Sequence, residues 1–366
     1  YVSDITLIPI SHFSQIANFL LKGTSLEHFR NAKNLINLIN QSPSLLNDFS
    51  SIKGQIIAKR ALSIAAAGLH NVLMVWAPGS GKTMLSKALP SILPPLDFPE
   101  ILEVSQIYSV VWKLNKDQPL ITQRPFRQVH HTASKVSIIG GGTHLTPGEI
   151  SLAHKVILFF DELTEFPREV LEVLRQPLED SVIHISRVSG TVEYPANVMF
   201  IASMNPCKCG YYKDPEKSCS CSLSEIKRYQ SKISGPLLDR IDMILEIPRE
   251  KIDTLLTKSL NQSSAELRQQ VIKAWKIQKD RFWKSGIQTN AMMDAKDIDH
   301  YIQLDSACKD FLSQAAERFT LSGRVIHRLL KLGRTIADME EKDQLEVGHL
   351  MEAIHYRSKT MFVENE

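Results

Sequence analysis

The stretch Asn71-Val-Leu-Met-Val-Trp-Ala-Pro-Gly-Ser-Gly-Lys-Thr83 decides how the rest of the chain reads. Asn71–Val75 is an apolar run of strand length, and a helical pattern, Lys82–Leu89, opens at its far end. Pro78, Gly79, Ser80 and Gly81 join the two. This order predicts a phosphate-binding loop. Backbone N–H groups around Gly79, Ser80 and Gly81 would form an anion nest at the helix N-terminus, Lys82 would reach the β/γ-phosphates of a nucleotide, and Thr83 would offer a hydroxyl to Mg²⁺. A Gly/Ser turn before an ordinary helix is the plainer alternative. Strand, loop, Lys-Thr pair and helix in succession favour the nucleotide. One position departs from the pattern G-x-x-x-x-G-K-[ST]: Trp76 stands where the first Gly belongs. That Gly lets the chain leave the strand sharply, so Trp76 is expected to strain the turn or narrow the site.

Working outward, Val156-Ile-Leu-Phe-Phe-Asp-Glu162 reads as a buried strand ending in two carboxylates. Asp161 is placed to hold Mg²⁺ and Glu162 to polarise an attacking water, the division of labour an NTP hydrolase requires. A further strand, Asn197–Ala202, leads to Asn205, whose side chain would lie between the two halves and orient that water. With a fourth strand at Ile241–Ile247, short apolar runs alternate with helical patterns from 48 to about 248. That alternation predicts an α/β domain with a mainly parallel sheet. Residues 249–366 read as an all-α second domain, with Leu304, Cys308, Phe311, Leu312, Ala315 and Phe319, then Val325, Ile326, Leu329, Leu330 and Ile336, at spacings of three and four. Residues 1–47 read as a strand-like opening, an amphipathic stretch around Ile16, Phe19 and Leu20, and a linker.

The bulk properties agree with two domains. At ~100–200 residues per domain, 366 residues leave room for one large and one smaller unit. A composition of 43% hydrophobic and 23% charged residues is that of an ordinary globular chain and argues against disorder. No apolar run approaches the ~20 residues that span a bilayer, so no membrane partner is expected. No secretory leader is recognisable, and the expected compartment is the cytoplasm. The net charge of +3 is too small to advertise nucleic acid. Any such contact must come from local patches: Arg124, Arg127, His130, His131 and Lys135, either a solvated basic face or a DNA contact, and Arg187 on a predicted β-hairpin, Ile183–Tyr194, turning at Ser189-Gly190.

From Asp48 to Arg357 the sequence resembles the magnesium-chelatase-like AAA+ ATPases and, within them, the competence-protein ComM/YifB group. The resemblance is carried by Gly54-Gln-x-x-Ala-Lys-Arg-Ala61, Arg124-Pro-Phe-Arg127, Gly140-Gly-Gly-Thr143, Pro147-Gly-Glu-Ile-Ser-Leu-Ala-His154, Leu174-Arg-Gln-Pro-Leu-Glu-Asp180, Met204-Asn-Pro-Cys207, Gly235-Pro-Leu-Leu-Asp-Arg-Ile-Asp242 and Arg334-Thr-Ile-Ala-Asp338. It implies a P-loop AAA+ core with a parallel sheet (48–248), a helical lid (249–366), and in 1–47 the end of a Lon-like N-terminal domain. It further implies ATP and Mg²⁺ as ligands and assembly into a ring, a hexamer, that moves along single-stranded or branched DNA as a helicase or branch-migration factor in natural transformation. By the same resemblance Asn205 is a sensor-1 residue, Arg240 an arginine finger acting on a neighbouring subunit, and Arg324 a sensor-2 residue. The hairpin is expected to point into a central pore. Trp112 and Val156, like Trp76, stand where relatives tend to carry Gly. A metal-chelatase motor subunit and a truncated, catalytically impaired regulatory protein are the alternatives.

Four of the five cysteines fall as Cys207-x-Cys209 and Cys219-x-Cys221, nine residues apart. Two such pairs can close four thiolates on one tetrahedral Zn²⁺ as a structural site with no open position. Two disulfides are the alternative and suit an intracellular ATPase poorly. Cys308 sits alone in a helical pattern and is expected to pack as a small hydrophobe.

Overall fold

An apolar run with no polar alternation lies stably only where both faces of a sheet are covered. Val72–Trp76 does so as strand β1, every residue buried. The structure, a computed structural model, describes residues 15, 16, 19, 47–76, 81–114, 119–142, 144–187, 190–247, 262–357, 362 and 363. The chain divides into two units, Tyr1–Ser44 and Leu45–Glu366. Of the first, Gln15, Ile16 and Phe19 are described, and all three are helical. Leu20 and the strand-like opening lie outside the described residues.

In the second unit the strands after β1 are β2 (Phe126–Val129), the two-residue β3 (Gly140–Gly141) and β4 (Thr146–Pro147), β5 (Ile157–Phe160), β6 (Val182–Arg187), β7 (Gly190–Pro195), β8 (Met199–Met204) and β9 (Met243–Ile247). The main sheet runs β2-β5-β8-β1-β9, and every neighbouring pair is parallel. The expected α/β core with a parallel sheet is thus present, its strands offset by one or two residues from the sequence reading. Edge strand β2 has no counterpart in that reading. Strand periodicity divides the core in two. Val72, Met74, Trp76, Phe159, Ile201 and Leu245 pack with the helix Ile56–Gly68 and with Leu267, Val271 and Ala274 of the helix Ser264–Arg281. Leu73, Val75, Leu158, Phe160, Phe200 and Ala202 face Leu163, Phe166, Ile183 and Ile185.

The C-terminal helices include Ser306–Phe319, Gly323–Met339 and Val347–His355. They close a third core around Phe282, Cys308, Leu312, Leu330, Ala337 and Leu350. Cys308 is fully buried there, with its thiol on the Leu345 carbonyl, as a packing residue. Phe319 instead stands exposed at the end of its helix. Among the described residues, no helix is long and apolar enough to cross a membrane.

Trp76 is the last residue of β1, paired with Ile247, with its indole wholly buried in the first core; the turn it was expected to strain or narrow, 77–80, lies outside the described residues. Trp112, by contrast, holds φ +54° and is 93% exposed, so this is the Trp in a conformation that favours glycine. The hairpin forms as β6 and β7, with Ile183 opposite Tyr194 and Arg187 opposite Gly190. The Arg187 side chain lies outside the described residues.

Candidate functional site

In a parallel sheet, ligand-binding groups gather beyond the C-terminal strand ends. Here β8 lies between β1 and β5, so the segments leaving those three strands converge. Gly81 ends the loop after β1 at φ +85°, accessible to glycine without strain, and caps the helix Lys82–Ala88. Lys82 and Thr83 sit half-buried in the first turn. Pro78, Gly79 and Ser80 lie outside the described residues. Lys82 Nζ donates to Asn205 Oδ1 at 2.7 Å, directly beyond the end of β8. Burial lowers the Lys82 pKa, and the Asp161 and Glu162 carboxylates partly offset that.

Asp161 and Glu162 come directly after β5. Ser203 Oγ, on β8, donates to Asp161 Oδ1 at 2.5 Å, and the Glu162 backbone N–H approaches Asp161 Oδ1 at 3.1 Å and Ser203 Oγ at 3.3 Å. Glu162 itself holds φ +53°, ψ +53°, a conformation a non-glycine residue rarely adopts, with its side chain exposed at the mouth of the site. Lys82, Asp161, Glu162 and Asn205 therefore form one constellation. Ser203 is the member the sequence reading misses; its signal is its place two residues before Asn205, at the same strand end. The oxygens of Thr83 and Asp161 are the hard donor set that suits Mg²⁺.

Arg240 and Arg324 occupy a second place. Arg240 is 8% exposed and pairs with Glu179; its Nη1 donates to the Pro236 carbonyl at 2.7 Å, and its Nε has no partner. Arg324, more exposed, reaches the other Glu179 oxygen at 3.6 Å. Burial first, then the charges of Arg175, Arg324 and Arg328, lower the Arg240 pKa. Among the described residues, neither Arg240 nor Arg324 bonds or ion-pairs with Lys82, Asp161, Glu162 or Asn205. Beside Arg240 opens a cavity of about 550 Å³ lined by Glu172, Arg175, Gln176, Glu179, Asp180 and His184 among others.

The basic cluster at 124–135 is not one solvated face. Arg124 is buried, pairs with Glu100 at 2.7 Å and donates to the Pro94 and Lys155 carbonyls. Arg127 forks onto both oxygens of Glu149. Both are paired with carboxylates of the same chain, so these two charges do not stand free at the surface.

The four cysteines converge. Cys207 Sγ lies 3.3 Å from Cys209 Sγ and 3.7 Å from Cys219 Sγ, Cys209 and Cys219 are 3.4 Å apart, and all four sulfurs lie within 4.8 Å of one another. All are free thiols, so the disulfide alternative is not realised. Sulfurs at Zn–S ≈ 2.3 Å in a tetrahedron stand about 3.8 Å apart, so the donor set and its spacing fit a thiolate-bound metal. Burial works against ionising Cys209, yet N–H groups of Tyr211 and Ser220 hold its pKa down at about 6; burial and the neighbouring thiols push Cys219 up to about 12. The cluster thus favours a thiolate at Cys209 and disfavours one at Cys219 and Cys221.

Comparison with known proteins bears on the family of the chain. Residues 48–255 match the family magnesium chelatase, subunit ChlI, and residues 261–357 match the magnesium chelatase, subunit ChlI C-terminal family. The competence protein ComM of Haemophilus influenzae is 40% identical over 335 residues, 89% of this chain and 63% of that protein. The protein YifB of Salmonella typhimurium is 42% identical over 320 residues, 87% of this chain and 62% of its own length. The magnesium-chelatase 67 kDa subunit of Heliobacterium mobile is 25% identical over 185 residues, 43% of this chain and 28% of that subunit. The chain spans about three-fifths of the length of the first two relatives.

Proposed function

Because the chain belongs to the magnesium-chelatase ChlI family of AAA+ ATPases, we propose that it hydrolyses ATP within a ring of identical subunits, a hexamer, and uses the energy to move along single-stranded or branched DNA. The observation that carries the hydrolytic part is the convergence of three strand ends: Lys82 on Asn205, with Asp161 fixed by Ser203 and Glu162 beside it. On this reading Lys82 binds the β/γ-phosphates, Asn205 and Glu162 orient and polarise the attacking water, and the Glu162 carboxylate takes up its proton. Thr83 and Asp161 would hold Mg²⁺, whose role when bound is to neutralise phosphate charge. Arg240 pairs with Glu179 and, among the described residues, makes no bond to the Lys82 constellation, which supports its service as an arginine finger to a neighbouring subunit's nucleotide, while Arg324, on the other Glu179 oxygen, is the sensor-2 residue of this reading. A planar, permanently charged guanidinium stabilises charge on a transferring phosphoryl group.

The DNA part rests on the likeness to a competence protein, which directs the same motor towards branch migration in natural transformation. The test is the ATPase rate of the purified chain over a range of protein concentrations, with and without single-stranded and branched DNA. We expect the rate per chain to rise steeply with concentration, as an active site completed by a neighbour requires, and to rise again with DNA. A rate indifferent to DNA refutes the DNA motor; a rate per chain independent of concentration refutes the shared site.

A further inference from the structure

The chain leaves β8 through Asn205, Pro206 and Cys207, so the fully buried Cys207 is two residues from the side chain that holds Lys82. At the other end of the cysteine loop, Cys221 is succeeded at once by Ser222, the N-cap of the helix Leu223–Gln230. That cap is a full capping box with Glu225, which fixes where the helix begins relative to Cys221. The helix then returns to the site. Gln230 Nε2, buried, donates to the Pro206 carbonyl at 2.8 Å, the residue between Asn205 and Cys207. One residue earlier, the Tyr229 hydroxyl accepts from Thr164 Oγ1 at 2.5 Å, two residues beyond Glu162. The cysteines and this helix therefore hold the segment directly after Asn205, and the helix also reaches Thr164 in the turn after the acidic pair. The loop between Cys209 and Cys219, by contrast, contributes little apolar burial: Lys213, Pro215, Glu216, Lys217 and Ser218 lie at its surface. Such a loop needs a cross-link to hold its shape, and four converging free thiols are the chemistry for a metal.

We propose that Cys207, Cys209, Cys219 and Cys221 bind one Zn²⁺, and that this ion, through Pro206 and Gln230, is a positioning element for Asn205 that sets the rate of ATP turnover without setting nucleotide affinity. The second half rests on the ATPase reading above; the first does not. A ligand two residues from Asn205 restricts the backbone that aims the side chain at Lys82, and loss of the metal frees that backbone while leaving the loop after β1 untouched. Partners that orient a functional group in this indirect manner typically matter by roughly 10–100-fold.

The experiment measures zinc per chain with a colorimetric chelator, the absorption spectrum after Co²⁺ replacement, ATP turnover and nucleotide affinity, on four proteins: the unaltered chain, Cys219→Ser, Gln230→Ala and Asn205→Ala. The expected result is one zinc per chain and a tetrahedral thiolate–cobalt spectrum for the unaltered chain, with both lost in Cys219→Ser. Gln230→Ala retains zinc yet loses turnover, which separates positioning from simple unfolding of the loop. Chelating the zinc from the unaltered chain lowers kcat by roughly 10–100-fold with KM and nucleotide affinity little changed, and added Zn²⁺ restores it. In Asn205→Ala, chelation lowers kcat no further, because the metal acts through that side chain. An ATP-hydrolysing protein free of zinc overturns this proposal alone. Additive losses in the Asn205→Ala background overturn the positioning role, and a zinc-loaded chain that hydrolyses no ATP overturns the positioning role and the ATPase reading together.

Discussion

Replacing Asp242 by Asn tests how the C-terminal helices are fastened to the α/β core. Asp242 is 3% exposed, just before β9, and its Oδ1 accepts from Arg328 Nη1 on the helix Gly323–Met339. Its Oδ2 accepts from the Asn71 N–H at 2.9 Å and lies 3.5 Å from His70 Nδ1. Arg357, also buried, donates to the Ile241 and Asp242 backbone carbonyls, and the Asp242 charge acts on it as well as on Arg328. An amide of the same shape keeps the packing and leaves those charges unneutralised. Breaking a buried ion pair from one side costs about 3–5 kcal/mol. At ~2 °C per kcal/mol for a chain of this size, the melting temperature should fall by about 6–10 °C. The pH dependence comes from the sign of the shift. Burial alone would raise the Asp242 pKa, but Arg328, then His70 and the Asn71 N–H, carry it far below the usual carboxylate range. Below about pH 4 the unfolded chain takes up a proton that the folded chain refuses, so the contribution is complete above that pH and declines as the solution is acidified. Denaturant unfolding of the parent and Asp242→Asn, monitored by tryptophan fluorescence between pH 3 and 7, should show a gap that narrows towards acid. A gap that is flat with pH, or a melting temperature within about 1 °C of the parent at pH 7, would falsify the reasoning. Arg328→Met in the same background should cost little more, since both changes remove one pair.

Two other substitutions probe the site. Trp76→Gly, which restores the P-loop pattern, should destabilise the chain by about 3–5 kcal/mol by emptying a fully buried indole site, whereas Trp76→Phe should leave nucleotide affinity unchanged; a Trp76→Gly chain that melts like the parent and binds ATP more tightly would contradict the buried placement. Glu162→Gln should slow ATP hydrolysis by ~10²–10⁴-fold while sparing ATP binding measured by fluorescent-nucleotide titration, and an equal loss of binding would move Glu162 out of the general-base role.

The core strands are legible because a central parallel strand announces itself by its own composition. β1, β5 and β8 are buried on both faces, so Val72–Trp76, Ile157–Phe160 and Met199–Met204 carry almost no polar residues. β2 is not legible for the converse reason. It lies at the sheet edge, its sequence is Phe-Arg-Gln-Val, and among the described residues it pairs with β5 alone. The charge of Arg127 looks unbalanced in the sequence because its partner, Glu149, arrives from a later turn of the fold; Arg124 finds Glu100 across a similar separation. A local count of charges cannot see such partners. Trp76 misleads for a related reason: the pattern treats it as part of the loop, while the pairing with Ile247 makes it part of the strand.

The two arginines carry that reasoning one step further. Read singly, Arg240 is expected to be an arginine finger for a neighbour and Arg324 a sensor-2 residue. The structure brings them to a single carboxylate, with Arg175 already committed to Glu172 and Arg328 to Asp242. One Glu179 cannot neutralise two guanidiniums, and the lowered Arg240 pKa reflects the crowding of like charge after burial. The unpartnered Nε of Arg240 leaves donor capacity unused at a nearly buried position, a cost that persists only where something compensates it. An anion presented from outside would relieve both the charge excess and the unused donor. Among the described residues the Lys82 constellation of the same chain makes no hydrogen bond or ion pair with these arginines, so under the proposed function a nucleotide held by another subunit would be such an anion. Asp242, by holding Arg328 one turn from Arg324 and lying two residues from Arg240, ties the helix that carries Arg324 to the segment that carries Arg240.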